Sequence, residues 1–363
     1  MAGHAIPRLA SLDFLRLIAA LSVVAFHYFF RGAAGGAPLM PVANPFLAPY
    51  AIYGYLGVNL FFLISGYVIA WSAEGRPAVE FGIARLVRIY PGFVICITIS
   101  FVVLWLAESP ALPVTLSQYF ANLTIFAPAL GQPFVDGVYW SIVLELVFYG
   151  WVALAVMTGI FKSWRLEFVA AMLIISAINE GFIGSSALRM LFVTEFAPLF
   201  AMGMIAQIIH SRGVSPEAVT LAFAAFVLSF ANVTITRDWM AAHYGVALSN
   251  DALFVANSVV VGLFLAALAV GPSLRSSTAT LAIGGLTYPL YLLHQNIGYV
   301  TIPYLEPALG SAGSVLVTMA MITLISWLVW RLFERPAQPA LKRLLNRIAT
   351  MARPYPRRIE RPA

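Results

Sequence analysis

Two polar side chains interrupt an otherwise apolar stretch near the start of the chain, LDFLRLIAALSVVAFHYFF, residues 12–30. Arg16 and His27 are eleven residues apart. At about 100° per residue, both project from one helix face, about 16 Å apart along the axis. Ionisable residues inside a membrane span are costly and usually functional. The pair predicts a polar route along this face; the alternative is that Arg16 extends to the headgroups and His27 bonds a neighbouring helix.

A second basic pair lies in the segment ARLVRIYP. Arg85 and Arg88 are three residues apart, so a helix would place them on one face, where two guanidinium groups could grip phosphates. The alternative is that they are ordinary positive charges flanking a span on its cytoplasmic side.

Acidic and further polar side chains also occur within apolar segments. Glu145, in VYWSIVLELVFYG, shares a helix face with Ser141 and with Tyr149. This carboxylate would orient an arginine or a histidine, or it would be protonated and structural. Glu195, in FVTEFAP, and His294, in YPLYLLHQN, are weaker candidates, because each would also suit a contact between helices.

The elements that must position these residues are membrane helices. Hydrophobic residues make up 61% of the 363 residues and charged residues only 10%, with a mean hydropathy of +0.89. A soluble domain carries about 25% charged residues. We therefore predict an all-α, polytopic integral membrane protein with about ten transmembrane helices. They are expected near residues 12–31, 52–73, 88–107, 138–160, 166–183, 190–210, 217–235, 252–271, 280–303 and 312–333.

The distribution of basic residues predicts the orientation. Of the 21 Lys and Arg residues, 17 fall on one side of the alternating loops, three on the other and one within a span. Cytoplasmic loops retain Lys and Arg, so both termini are expected in the cytoplasm. The longest outer connections, 32–51, 108–137 and 236–251, are rich in Pro, Gly, Asn and aromatic residues and would suit an acceptor-binding surface.

The chain is expected to form one transmembrane domain, 1–335, followed by a basic cytoplasmic tail, 336–363. The tail begins as a basic amphipathic segment, which favours anionic membrane lipids over nucleic acid as its partner. A cleaved signal peptide is not expected, because Arg16 and His27 interrupt the first apolar stretch and many spans follow. The five histidines show no metal-ligand spacing, so no metal site is predicted.

Six stretches taken in order resemble the acyltransferase family 3 membrane proteins, which O-acylate bacterial surface carbohydrates and some small molecules. Arg16 and His27 match the family's R-x10-H, and Arg85 and Arg88 match its R-x-x-R. The remaining matches are GVNLFFLISGYVIAWS, YWSIVLELVFY, LTYPLYLLHQN and FERPA. Many relatives append a soluble SGNH-type domain, and this chain is expected to act as a stand-alone form.

The resemblance implies transfer of an acyl group, usually acetyl, from cytoplasmic acyl-CoA to a hydroxyl of an exported carbohydrate, free or lipid-linked. It implies a bacterial inner-membrane location and no bound cofactor. Arg16, Arg85 and Arg88 would bind the phosphates of the donor. His27 would be the general base, or a nucleophile that is transiently acylated. Glu145 would orient His27 or an arginine, and Glu334 of FERPA would pair with the cytoplasmic arginines.

Two other functions remain open from the residues alone. A transporter or flippase of a lipid-linked glycan would use His27 and Glu145 as a proton relay. A membrane scaffold or receptor would keep these buried ions for structure only.

Overall fold

The computed structural model describes residues 9–35, 38–40 and 44–351, and within these residues every regular element is helical. The predicted all-α class is therefore confirmed. The principal helices are α1 (Ala10–Phe29), α2 (Gly57–Ala73), α3 (Ala78–Ala107), α4 (Trp140–Met157), α5 (Arg165–Ile178), α6 (Ala197–Arg212), α7 (Pro216–Tyr244), α8 (Asn250–Val270), α9 (Thr278–Leu328) and α10 (Arg335–Met351).

Eight helical stretches of the described residues are long and apolar enough to cross a membrane, which confirms a polytopic membrane protein. The last stretch, Thr278–Met351, contains both of the final predicted spans. They are separated at Gly310, which interrupts the helical backbone with φ +67°. The span predicted near 190–210 is only a 16-residue helix, Ala197–Arg212. A bilayer span needs about 20 residues, so the count of ten corresponds to eight stretches, one of them double, and one short helix.

Two predicted helix boundaries are wrong by about ten residues. Helix α3 begins at Ala78 rather than near residue 88, so Arg85 and Arg88 lie within the helix and not at its start. Helix α7 continues to Tyr244 rather than ending near residue 235, and it stops where Gly245 adopts φ +66°. In both cases polar side chains suggested a loop, although such residues do not disfavour a helix when they face a cavity or solvent.

Helices α2 and α6 approach each other at two glycines. A β-carbon on Gly66 would lie 2.1 Å from the carbonyl oxygen of Phe200. One on Gly203 would lie 2.2 Å from the carbonyl oxygen of Leu63. Small residues let helix backbones come this close within a membrane, where packing replaces the hydrophobic effect between helices. The contact holds the short helix α6 against the bundle.

Helix α1 is the element on which the predicted site depends. It packs chiefly against α9 and α2, and also contacts α8. Its apolar residues Leu12, Leu15, Ala19 and Val23 are buried in these contacts. Polar residues on α1 therefore face the spaces that remain between the helices, which is where Arg16 and His27 lie.

The basic segment predicted at the start of the tail is the helix α10. Its apolar side chains Leu344, Ile348 and Met351 are exposed at helical spacing, whereas the start of the helix packs against α3. The predicted amphipathic character is confirmed for Arg335–Met351. The remaining part of the tail, 352–363, lies outside the described residues, as do 36–37 and 41–43 of the first outer connection.

Candidate active site

The predicted basic residues meet in one cavity of about 280 Å³ between α1, α2, α3, α4 and α9. Arg16 comes from α1, and Arg85 and Arg88 come from α3, where their spacing of three residues places both toward the cavity. Other residues lining it are Ser65, Ser141, Glu145, Tyr149, Thr287, Tyr288 and Tyr291. We call this space the arginine cavity.

Acidic side chains engage two of the three guanidinium groups. Arg16 Nη1 lies 3.1 Å from Asp13 Oδ1, one helical turn away. Arg88 donates to Glu334, a fully buried carboxylate that also accepts from Gln338 Nε2 at 3.1 Å. The expected pairing of Glu334, in the FERPA stretch, with one of these arginines is present in the structure as the contact with Arg88.

Arg85 differs from its neighbours. Its Nε is buried and has no hydrogen-bond partner among the described residues. The guanidinium lies over the Phe81 ring, with its central carbon 5.9 Å from the ring centroid. A buried polar group without a partner is costly, so this donor is suited to an anionic ligand that enters the cavity.

Glu145 lies in the arginine cavity and not beside His27. Its Oε1 accepts a hydrogen bond from Ser65 Oγ at 2.9 Å and another from Tyr149 Oη, one turn further along α4. The sequence left open whether Glu145 orients an arginine or a histidine. Its position in the arginine cavity favours an arginine. It also separates the two members of the proton relay that a transporter would require, since His27 lines a different cavity.

His27 lines a larger cavity of about 940 Å³, bounded by α1, α2, α4, α7, α9 and the connections around residues 126–138 and 186–196. Its walls combine aromatic rings with a few polar groups. The lining residues include His27, Arg31, Phe126, Phe134, Trp140, Arg189, Glu195, Phe196, Thr236, Trp239, Tyr244, Tyr291 and Gln295. We call this space the histidine cavity.

The His27 imidazole is held by a tyrosine that the sequence analysis missed. Nδ1 lies 2.6 Å from Tyr299 Oη, and the ring centroid lies 5.1 Å from that of His294. In the tautomer in which Nδ1–H donates to Tyr299, Nε2 carries the lone pair. A histidine oriented in this way can accept a proton through Nε2.

His294 is buried beside His27. Its Nδ1 donates to the Tyr291 carbonyl oxygen at 2.8 Å, while its own carbonyl accepts from Tyr28 Oη at 2.6 Å. Its Nε2 is buried without a hydrogen-bond partner among the described residues. His294 therefore packs behind the His27 ring and lines neither cavity.

The two cavities share part of one wall. Val58 and Tyr291 line both of them. Tyr291 Oη lies 2.8 Å from Ser141 Oγ and donates to the Val138 carbonyl oxygen at 3.3 Å. Ser141, which the sequence placed on the same helix face as Glu145, therefore lies at the junction of the cavities.

Glu195 lines the histidine cavity and not the arginine cavity. Its Oε1 accepts from Thr236 Oγ1 at 3.1 Å, and its Oε2 lies 4.0 Å from Arg189 Nε. Burial raises the pKa of the Glu195 carboxyl, and the hydrogen bond from Thr236 opposes this shift. The carboxylate faces a mainly apolar space, where it can bind hydrogen-bond donors of a ligand.

A second missed residue, Asp136, fixes the connection that closes the histidine cavity. It is fully buried, accepts from the backbone N–H of Val138 at 3.1 Å and accepts from that of Asn296 at 2.9 Å. Burial raises the pKa of Asp136 to about 7, although both backbone hydrogen bonds act in the opposite direction. Asp136 thus joins the start of α4 to the middle of α9.

One signal in the sequence pointed to the missed tyrosines. In YPLYLLHQNIGY, Tyr291, Gln295 and Tyr299 recur at intervals of four residues and His294 follows Tyr291 by three, which places polar groups on one face of a buried helix. The facing partner cannot be inferred from this pattern, since Tyr299 and His27 are 272 positions apart. Within the described residues, no three His, Cys, Asp or Glu side chains come together as a metal site.

Comparison with known proteins gives two matches. The family model described as "Acyltransferase domain", that of acyltransferase family 3, matches residues 9–331. Over 153 residues, the chain is 31% identical to the protein named acyltransferase MdmB from Streptomyces mycarofaciens. The match covers 39% of this chain and 38% of that relative, so the chain spans well under half the length of this curated relative. No solved structure matches.

Proposed function

The chain belongs to acyltransferase family 3, and we propose that it is a membrane O-acyltransferase that moves an acyl group, with acetyl as the first choice, from acyl-CoA to a carbohydrate hydroxyl. The observation that carries this proposal is the junction of two chemically different cavities. The arginine cavity suits an anionic donor, and the histidine cavity offers a base and aromatic walls for an acceptor.

The donor enters from the side on which the arginines lie. Coenzyme A carries phosphates at one end and the thioester at the end of a long flexible arm. Arg85 binds a phosphate through its unpartnered donor, and Arg16 and Arg88 add positive charge beside it. The arm then extends toward the shared wall at Val58 and Tyr291, which directs the thioester to the histidine cavity.

His27 acts on the acceptor hydroxyl. An alcohol is too weak an acid to attack a thioester unaided, and a correctly placed base accelerates such a step by about 10²- to 10⁴-fold. Nε2 accepts the proton of the hydroxyl, while Nδ1–H donates to Tyr299 and fixes the ring. In the alternative course, Nε2 attacks the thioester carbon, the thiol leaves, and the acyl group passes from the imidazole to the acceptor.

Glu145 and Glu334 act as positioning residues in this scheme. Glu145 is held by Ser65 and Tyr149 and contributes negative charge within the arginine cavity. Glu334 holds Arg88 from below the cavity. Glu334 thereby limits how far Arg88 extends and so helps to shape the phosphate site.

The protein is proposed to lie in the bacterial inner membrane with both termini in the cytoplasm. The basic helix α10 follows the last span, and its exposed residues Leu344, Ile348 and Met351 would enter the headgroup region of the inner leaflet. Each basic residue near an anionic leaflet contributes about 1 kcal/mol of attraction. This orientation brings the arginine cavity toward the cytoplasmic pool of acyl-CoA.

The test uses full-length protein in nanodiscs, acetyl-CoA labelled in the acetyl group, and carbohydrate fractions from the native host. We expect label on a carbohydrate as a base-labile ester. Label incorporation should be lost in His27→Ala, while that variant keeps its helical content and its binding of acetyl-CoA. Wild-type protein that moves no label to any carbohydrate fraction would contradict the proposal.

A further inference from the structure

We infer that the hydroxyl of Tyr291 is a catalytic hydrogen-bond donor that binds the thioester carbonyl oxygen as negative charge develops on it. This inference rests on the proposed function, because it concerns the same transfer. Tyr291 lies at the junction of the two cavities, and the roles proposed for the arginines and for His27 give it no task.

Position is the first argument. A thioester held by the arginine cavity and a hydroxyl activated in the histidine cavity must react where these spaces meet. Val58 and Tyr291 are the residues that line both cavities among the described residues, and Val58 has no polar side-chain atom. Tyr291 is 5% exposed, so its hydroxyl lies in a region from which water is largely excluded.

The reaction itself requires such a donor. His27 Nε2 takes the proton of the acceptor hydroxyl, and the acceptor oxygen forms a bond to the thioester carbon. The electron pair of the carbonyl double bond moves onto its oxygen, which becomes an oxyanion. The intermediate then collapses, the carbon–sulfur bond breaks with its electron pair on sulfur, and the sulfur takes the proton from His27. The products are the ester and the free thiol of CoA.

The orientation of Tyr291 is already set for this task. Its Oη lies 2.8 Å from Ser141 Oγ, and both hydroxyls reach the Val138 carbonyl oxygen, Ser141 at 3.0 Å and Tyr291 at 3.3 Å. When the thioester is bound, Ser141 can donate to Tyr291 Oη, which frees the phenolic proton for the carbonyl oxygen. A preorganised donor of this kind needs no rearrangement of solvent as charge develops.

Packing couples this donor to the base. The rings of Tyr291 and His294 have centroids 5.8 Å apart, and those of His294 and His27 are 5.1 Å apart. In the wall of the arginine cavity, Phe61 packs edge-on against Tyr291 with centroids 5.3 Å apart. His27 and Tyr291 therefore both pack against the ring of one buried histidine, which limits their movement relative to each other.

The experiment measures kcat, KM for acetyl-CoA and the dissociation constant of acetyl-CoA for Tyr291→Phe. The loss of one oxyanion donor typically lowers kcat by about 10²- to 10³-fold. We expect this loss with KM and the dissociation constant nearly unchanged, because the phosphates still bind the arginines. A kcat within about threefold of wild type, which is far below the usual effect of an oxyanion donor, would overturn the inference.

Tyr67→Phe is the matched control. The Tyr67 hydroxyl is also bonded, at 3.1 Å from His210 Nδ1, but it lines neither cavity. This variant is expected to keep the wild-type kcat. An equal fall of kcat in both variants would show a general effect of removing a buried hydroxyl and would contradict a special task for Tyr291.

Ser141→Ala provides a second measurement, which can be interpreted even if the Tyr291→Phe variant is partly destabilised. If Ser141 acts through the Tyr291 hydroxyl, its removal lowers kcat in the wild type and has no further effect in the Tyr291→Phe background. Independent, additive effects would overturn the inference. Wild-type protein without any acyl transfer would instead refute the proposed function, so the two failures are distinguishable.

Discussion

The arginine cavity and the histidine cavity differ in both chemistry and construction. The smaller, about 280 Å³, is formed by transmembrane helices and contains three guanidinium groups, two of them paired with carboxylates. The larger, about 940 Å³, is lined mainly by apolar and aromatic surface and includes residues of the connections 126–138 and 186–196. A site on helices is rigid and a site with loops is adaptable. The contrast suits the proposed division in which the smaller cavity binds the acyl donor and the larger binds the acceptor.

The largest effect on activity is expected when the base is removed from the larger cavity. We expect His27→Ala to lower kcat by about 10²- to 10⁴-fold, the usual contribution of a general base. Binding of acetyl-CoA should be unchanged, because the arginine cavity is intact. Isothermal titration and the labelled-acetyl assay measure the two quantities.

The control for that experiment is His210→Ala, since His210 is exposed and lines neither cavity. Loss of acetyl-CoA binding in His27→Ala would contradict the division of tasks between the two spaces.

Removal of the Arg85 guanidinium, whose Nε has no partner among the described residues, should affect only the binding of the acyl donor. Arg85→Gln is expected to raise KM for acetyl-CoA about 10- to 100-fold, since a hydrogen bond to a charged group contributes about 1.5–3 kcal/mol. With acetyl-pantetheine, which lacks the nucleotide phosphates, the variant and the wild type should have the same KM. Steady-state kinetics with both donors measure this difference.

Arg237→Gln is the matched control, because Arg237 lies outside both cavities and pairs with the neighbouring Asp238. An equal penalty with acetyl-pantetheine would show that Arg85 does not contact the phosphates.

A change at Glu195, which lines only the histidine cavity, should affect only the binding of the acceptor. We expect Glu195→Gln to raise KM for the acceptor by about 2- to 10-fold, which is the range for one hydrogen bond of about 0.5–1.5 kcal/mol. The KM for acetyl-CoA should stay at the wild-type value. Acceptor titration at a saturating donor concentration measures the effect, and a change confined to the donor would contradict it.

The smallest expected effect is on stability, through the connection that closes the larger cavity. The pKa of Asp136 in the folded protein is raised to about 7, so the folded state binds this proton more tightly than the unfolded state. Stability contributed by the protonated form is therefore lost as pH rises from about 4 to above 7. The midpoint of thermal unfolding should fall over this range more steeply in wild type than in Asp136→Asn. Parallel curves would contradict the assignment.

Much of the fold and part of the site could be predicted from residue types and spacing. The apolar runs indicated the helices, and the interval of three residues between Arg85 and Arg88 correctly indicated a common face toward one cavity. The interval between Arg16 and His27 predicted one polar route. The structure instead places them in two cavities that share a wall, because neighbouring helices and not α1 alone define the spaces.

The rest depended on contacts between distant segments. Tyr299 supports His27 from 272 positions away, and Asp136 caps a helix start while it holds the backbone of Asn296. A lone aspartate in a connection has no periodic pattern that would mark it. From the sequence alone, Glu145 could orient either His27 or an arginine. Its hydrogen bond from Ser65 depends on the packing of α4 beside α2, which the sequence does not reveal.

The close approach of α2 and α6 has a consequence for how the protein is made. Helix α6 has 16 residues and spans about 24 Å, less than the hydrocarbon core of about 30 Å. A segment this short enters a bilayer poorly by itself, and its match to Gly66 and Gly203 is available only once α2 is in place. We therefore expect α6 to insert stably only beside α2, so that a change that disrupts α2 should also impair the insertion of Ala197–Arg212.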